Sequence, residues 1–213
     1  MNVGKSSGTL CNGSLLALVA LGVGLLAACK PAAKPDAGPY SALGETAADI
    51  TAELLPNKGS IVLLVSEGDQ KPVTGTGRTV AAFQARLKTL GLPVKATEVF
   101  PAPDALLSGM EPVSAARFME AIAKHATADA IVSFVGAPRL DAPQIAQLPN
   151  PRPKFVAAVT FTPPLRAMFD SGVLHAAIVA RAAAQPVSPA ASSREQFEAS
   201  YQLIRAGNAG SPP

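Results

Sequence analysis

The chain contains no tryptophan, two tyrosines, two histidines and two cysteines in 213 residues, and only 15% of its residues are charged. Each scarcity removes a class of function. Without tryptophan and with so little tyrosine there is no aromatic platform on which sugars or bases would stack. Eighteen basic residues against fifteen acidic ones leave a net charge of +3, too balanced for a nucleic-acid surface. His125 and His175 are too few and too far apart for a histidine-based metal motif, and neither a Cys pair nor an Asp-rich cation loop is present, so no metal and no cofactor is expected. Ser66 follows an apolar run as a hydrolase nucleophile would, but Gly-x-Ser-x-Gly is lacking because position 64 is Leu. His125 falls in the last turn of a predicted helix and His175 inside a predicted strand, which suits a packed, hydrogen-bonded ring better than a base. The chain is expected not to be an enzyme. A carboxylate pair drawn from Glu67, Asp69, Asp104 and Asp141 is the residual catalytic option.

Apolar material is plentiful, at 48% of residues. The first long run is Leu15–Ala28, preceded by Lys5 and followed by Lys30 and Pro31. A basic lead, a short apolar core and small residues before a cut describe a secretory signal peptide over residues 1–28, too short to span a bilayer comfortably. The run ends in Leu26-Ala27-Ala28-Cys29, which resembles the lipobox of bacterial lipoproteins. The resemblance implies that Cys29 is lipidated and becomes the new N-terminus, that the protein is anchored on the periplasmic side of a membrane, and that Lys30 in place of Asp favours the outer membrane. The alternative is an ordinary signal peptide cut beside Cys29, leaving a free thiol. With Cys11 removed and Cys29 lipidated, no disulfide remains, and the exported domain must be stable through its core alone.

Residues 29–44 carry three prolines and no apolar period, which predicts a flexible tether. Thr46–Leu55 predicts a short helix ended by Pro56. The α/β domain is placed at residues 45–182, where elements alternate. Apolar runs at Ser60–Val65, Val94–Phe100, Ala130–Val135, Phe155–Phe161 and Val173–Ala180 predict five strands, the first and third of them buried. Between them, Thr79–Leu90 and Ser114–Thr127 carry helical apolar stripes; Pro163–Phe169 predicts a short helix, and Ala142–Leu148 no more than a turn of helix. Such alternation predicts a single doubly wound, flavodoxin-like parallel sheet of about five strands. Residues 183–192 predict a linker, 193–206 an added C-terminal helix with Phe197, Tyr201 and Ile204 on one stripe, and 207–213 a frayed tail.

In an open parallel sheet, ligands sit beyond the carboxyl ends of the strands. The loop from Ser66 to Arg78 is rich in Gly and Thr and leads to a helix N-terminus. It is neither a Walker loop nor a dinucleotide fingerprint, since no Gly-Lys-Ser/Thr ends it and position 80 is Val; the plain alternative is a surface loop. Glu67, Asp69, Arg78, Asp104, Arg139 and Arg181 lie in the expected carboxyl-edge loops and form the candidate ligand-binding set. The three arginines are expected to converge and pair with a carboxylate or sugar hydroxyls.

Phe169 to Arg181, with Gly172-Val173-Leu174-His175-Ala176-Ala177-Ile178-Val179, is similar to the late segment of type 1 periplasmic sugar-binding proteins. Asp129-Ala130-Ile131-Val132 is similar to their Asp-Gly-Ile-Ile strand, and Arg78, Phe83, Leu87 and Gly91 to one of their helices. The resemblance covers residues 59–181, one lobe of a family that binds its ligand between two, and Arg181 stands where that family has Gln. It implies a substrate-binding-like domain, acting as an accessory or solute-binding component of the cell envelope. The rival expectation is a structural or assembly lipoprotein that holds an envelope protein partner. Small solute or protein, the partner set includes the membrane and excludes nucleic acid.

Overall fold

The computed structural model describes residues 38–101, 113–159, 165–188 and 190–206. The signal peptide, Cys29, Asp104 and the tail from 207 lie outside them. Helix α1 (Pro39–Leu54) leads into strand β1 (Ile61–Ser66), and helix α2 (Gly75–Leu90) into β2 (Val94–Phe100). Then follow α3 (Ala115–Lys124), β3 (Ala130–Ser133), α4 (Ala142–Gln147), β4 (Lys154–Val159), α5 (Arg166–Asp170), β5 (Ala176–Ala180), α6 (Ser193–Ser200) and β6 (Tyr201–Ile204).

One six-stranded sheet has the order β2-β1-β3-β4-β5-β6. The first five strands are parallel, in the expected flavodoxin-like order; β6 adds to β5 antiparallel, with Ala180 opposite Tyr201 and Ala177 opposite Ile204. The alternation of side chains along the strands divides the core in two. Ile61, Leu63, Val65, Val132 and Ile178 pack under α1, α2 and Phe197 of α6. Val62, Leu64, Ile131, Phe155 and Val179 face the other way, under α3, α5 and the Leu140–Leu148 turn. One edge-to-face ring pair ties each layer to the sheet or the segment that leaves it: Phe83 with Phe134 at 5.1 Å, and Phe118 with Phe155 at 4.9 Å. Burial on both faces explains why β1 is an unbroken apolar run, whereas the edge strand β2 alternates between half-buried and exposed positions.

Helix ends follow local rules. Ser114 caps α3 by accepting from the Arg117 N–H. Asp141 with Gln144, and Ser192 with Glu195, form capping boxes on α4 and α6. Gly91, at φ 69°, ends α2 in the left-handed conformation that glycine accepts without strain.

Two segments depart from expectation. The tether predicted over 29–44 gives way to helix at Pro39: Pro at the first helical position needs no N–H partner, and Ser41, Ala42 and Gly44 are buried. Gly44 allows that burial, because a β-carbon there would lie 2.2 Å from the Thr79 carbonyl oxygen, so α1 and α2 meet backbone to backbone. The C-terminal helix predicted over 193–206 stops at Ser200, and Tyr201–Ile204 becomes a strand. Left helical, it would leave the outer edge of the apolar β5 unpaired; as β6 it satisfies those backbone groups.

Candidate functional site

From β1 the chain crosses to β2 over the face that holds α2; from β3 it crosses to β4 on the opposite face, through α4. The connections therefore part between two neighbouring strands, at the carboxyl ends Ser66 and Ser133. This is the switch point at which open α/β sheets form a crevice.

Its first wall is the loop after β1. Glu67–Asp69 make a 3₁₀ turn. Asp69 accepts a 2.7 Å hydrogen bond from the Thr74 hydroxyl, and Thr74 in turn caps α2 by accepting from the Gly77 N–H at 2.8 Å. The loop then folds back across that first turn so closely that a β-carbon on Gly77 would lie 1.9 Å from the Lys71 carbonyl oxygen. Asp69 is thus spent on holding the loop in shape, while Glu67 is exposed. The second wall follows β3. Ser133 donates to the Gly136 carbonyl, Gly136 takes φ 84°, and Pro138 and Leu140 are buried on either side of an exposed Arg139. Arg139 is thus an exposed basic residue held between anchored neighbours in the loop after β3.

The other two arginines do different work. The Arg78 guanidinium lies 5.7 Å from the centre of the Tyr40 ring, a cation–π contact with the first turn of α1. Arg181 Nε donates to the Glu198 carbonyl at 2.7 Å and to the Tyr201 carbonyl at 3.1 Å, clasping the end of β5 to the α6–β6 corner. β5 is three strand spacings from β1, about 14 Å. The fold therefore brings Glu67, Asp69 and Arg139 to neighbouring strand ends, turns Arg78 toward α1, and sets Arg181 at the far side of the same edge. Arg181 also lines an open groove of ≈ 770 Å³ between α1 and the α6–β6 corner, with Glu45, Asp49, Phe197 and Tyr201.

Tyr40 and Tyr201 were not among the residues expected at this edge. The Tyr40 ring covers Gly75, where a β-carbon would come 2.5 Å from it. Burial, with Tyr40 nearby, pushes the Tyr201 hydroxyl up to about 12. The signal for Tyr40 lay in the sequence: Gly38-Pro39 opens a helical spacing of Ala42, Leu43, Ala47, Ile50 and Leu54. His175 is half-buried, and its Nδ1 accepts from the Phe155 N–H at 3.3 Å. Burial, then Lys154 and Arg152, hold it below the usual histidine range, so it is a neutral packed ring. Among the described residues no cluster of three His, Cys, Asp or Glu could hold a metal, and no helix is long and apolar enough to cross a membrane.

No family model matches the sequence, and no curated protein matches it. Solved structures do share its fold. A solute-binding protein from Burkholderia graminis, in complex with D-arabinose, superposes with a TM-score of 0.53 at 14% identity, over 82% of this chain and 62% of its own. One from Agrobacterium vitis, bound with α-D-tagatopyranose, gives 0.52 at 16% identity, over 82% and 59%. The Caulobacter myo-inositol binding protein gives 0.50 at 13%, over 81% and 60%. The chain spans about 60% of the length of the solved proteins it matches. These neighbours are type 1 periplasmic sugar-binding proteins, and what this chain shares with them is the α/β lobe with its mostly parallel sheet.

Proposed function

We propose that the chain is a non-catalytic cell-envelope lipoprotein, held on the periplasmic side of a membrane by lipid at Cys29, whose α/β unit binds a small polyhydroxyl or anionic solute at the carboxyl edge of its sheet. The observation that carries this reading is the switch point between β1 and β3, where the loops that carry the exposed Glu67 and Arg139 leave neighbouring strand ends. The neighbours support it, because they share this α/β fold and their structures hold an aldopentose, a ketohexose and a cyclitol. Exposed guanidinium and carboxylate groups recognise hydroxyls and carboxylates by charge-assisted hydrogen bonds. Arg139 and Glu67 are assigned that role; Asp104 lies outside the described residues and stays a candidate for it by sequence position alone. Arg181 closes the edge.

Thermal melting of the full chain with D-arabinose, D-tagatose and myo-inositol tests the solute. A ligand at a hundred times its Kd adds about 2.7 kcal/mol, which raises Tm by about 5–10 °C at this size. Arg139→Ala should abolish the shift and leave the unliganded Tm near that of the parent. A shift that survives Arg139→Ala moves the site elsewhere; no shift with any solute leaves the accessory role, with an envelope protein as partner. Cys29→Ser tests the anchor, and a variant that fractionates with membranes at the mature size, as the parent does, removes the lipid from the proposal.

A further inference from the structure

The start of α1 has a defined place. Tyr40 packs on Gly75, Gly44 on Thr79 and Phe83, and Asp49 pairs with Arg86, so α1 runs alongside α2 in the same direction. Its first turn therefore sits at the carboxyl edge of the sheet. Its last turn, with the Leu55–Ser60 connection, sits at the amino edge, where β1 begins.

Only nine residue steps separate Cys29 from Gly38. Nine steps reach at most about 30 Å even when fully extended. To put the amino edge against a membrane that holds Cys29, the chain would first have to run back along all of α1, about 24 Å for sixteen residues. That leaves about 6 Å of reach with which to pass the Leu55–Ser60 connection. The carboxyl edge needs no such path.

That edge has the chemistry of an interfacial surface. Of the large apolar side chains exposed among the described residues, Tyr40 (43%) and Val73 (75%) both stand at it. Lys71 and Arg78 flank them and are exposed. Tyrosine suits the headgroup level, with an apolar ring and a polar tip. Basic side chains at an anionic lipid surface each strengthen contact by about fivefold at low salt.

We infer that the carboxyl edge, through Tyr40, Val73, Lys71 and Arg78, is the face this protein rests on an anionic lipid surface. The inference relies on the lipid anchor at Cys29 proposed above, and it makes the candidate solute crevice open toward the bilayer. A solute would then be taken or delivered close to the membrane plane.

The absence of tryptophan gives a clean test. The full lipidated chain is reconstituted into phosphatidylglycerol-containing vesicles with brominated acyl chains, carrying one tryptophan at a time. Gln70→Trp reports from the carboxyl-edge loop and Asn57→Trp from the amino edge; both positions are exposed. Val73→Trp is the second carboxyl-edge reporter should Gln70→Trp not melt like the parent. The expected result is a blue-shifted, quenched reporter at 70 or 73 and an unquenched one at 57. Lys71→Glu with Arg78→Glu, or high salt, should relieve the quenching. Equal quenching at both edges, quenching at 57 alone, or none at either overturns the inference. Vesicle flotation separates the two layers. A chain that floats with its carboxyl-edge reporter unquenched loses only this face, whereas one that does not float loses the anchor and the face together. The solute reading stands or falls on its own melting shift.

Discussion

Replacing Gly44 by alanine should destabilise the protein, although helix propensity alone predicts the opposite. In an exposed helix interior, Gly→Ala stabilises by about 1 kcal/mol, because alanine loses less backbone freedom on folding. Gly44 is in the interior of α1, so that gain applies here too. Against it stands contact. The new β-carbon would fall 2.2 Å from the Thr79 carbonyl oxygen and 2.8 Å from the Phe83 nitrogen, both backbone atoms of α2. Neither can swing aside as a side-chain tip would, so the two helices must separate by about 1 Å. A gap of that size forfeits a quarter to a half of each van der Waals well it opens. The residues affected are buried: Ala47 and Ala48 at 0% exposure and Ile50 at 3%. Overpacking of a well-filled site costs about 1–3 kcal/mol. With no side-chain slack, the upper end applies, and the net loss is about 2 kcal/mol after the propensity gain is subtracted. At this chain length that lowers Tm by about 4–8 °C; Gly44→Leu should cost more. The assay is a thermal melt followed by circular dichroism, with Gly68→Ala, whose β-carbon meets nothing within 4 Å, as the control. A Gly44→Ala protein that melts at or above the parent temperature would show that α1 does not approach α2 at this point, and the assignment of residues 38–44 to the folded unit would fail with it.

A chain beginning at Gly44 should melt below one beginning at Gly38, because it loses the first turn of α1, including buried Ser41 and Ala42; parallel melts of the two decide this. Arg181→Ala should lower stability by about 1 kcal/mol, since it releases two carbonyls that one charged donor holds at the β5–β6 corner; if urea unfolding shows no change, the clasp is ornamental. His175 gives a pH signature. Its folded value lies below the ordinary 6.5, so the neutral form is favoured in the folded state. Its contribution is complete above pH 6.5 and is lost as pH falls below that value toward the folded one. Urea midpoints measured downward from neutral pH should therefore fall more steeply for the parent than for His175→Gln, and matching slopes would mean that the ring charges equally easily in both states.

What the sequence determined by itself were the features with a short-range cause. The runs Ile61–Val65 and Ala130–Val132 are apolar at every position, which only a strand covered on both faces tolerates, so five strands and a three-layer arrangement follow. Alternation with helices makes those strands parallel, and right-handed crossovers put the loops after β1 and β3 side by side. The loops that carry Glu67 and Arg139 were legible as following neighbouring strands for that reason. Caps were legible too: Ser114 accepts from Arg117, as its place before an amphipathic stripe predicts.

Tertiary structure decided what depends on distant partners. Phe197, Tyr201 and Ile204 suit a helical stripe, and Tyr201, Leu203 and Ile204 suit a strand equally well. The choice falls to β5, whose outer edge offers a row of unpaired backbone groups more than twenty residues upstream. Residues 38–44 look like tether because Pro39, Gly38 and Gly44 outweigh the helical spacing that starts at Ala42. They fold as helix because small side chains let α1 settle onto the backbone of α2, a contact that exists only once α2 is in place. The same assembly turned two of the three candidate arginines to other tasks, Arg78 over Tyr40 and Arg181 across the β5–β6 corner. Position after a buried strand sets which edge a residue occupies. Its partner there is set by whatever the rest of the fold leaves unpaired.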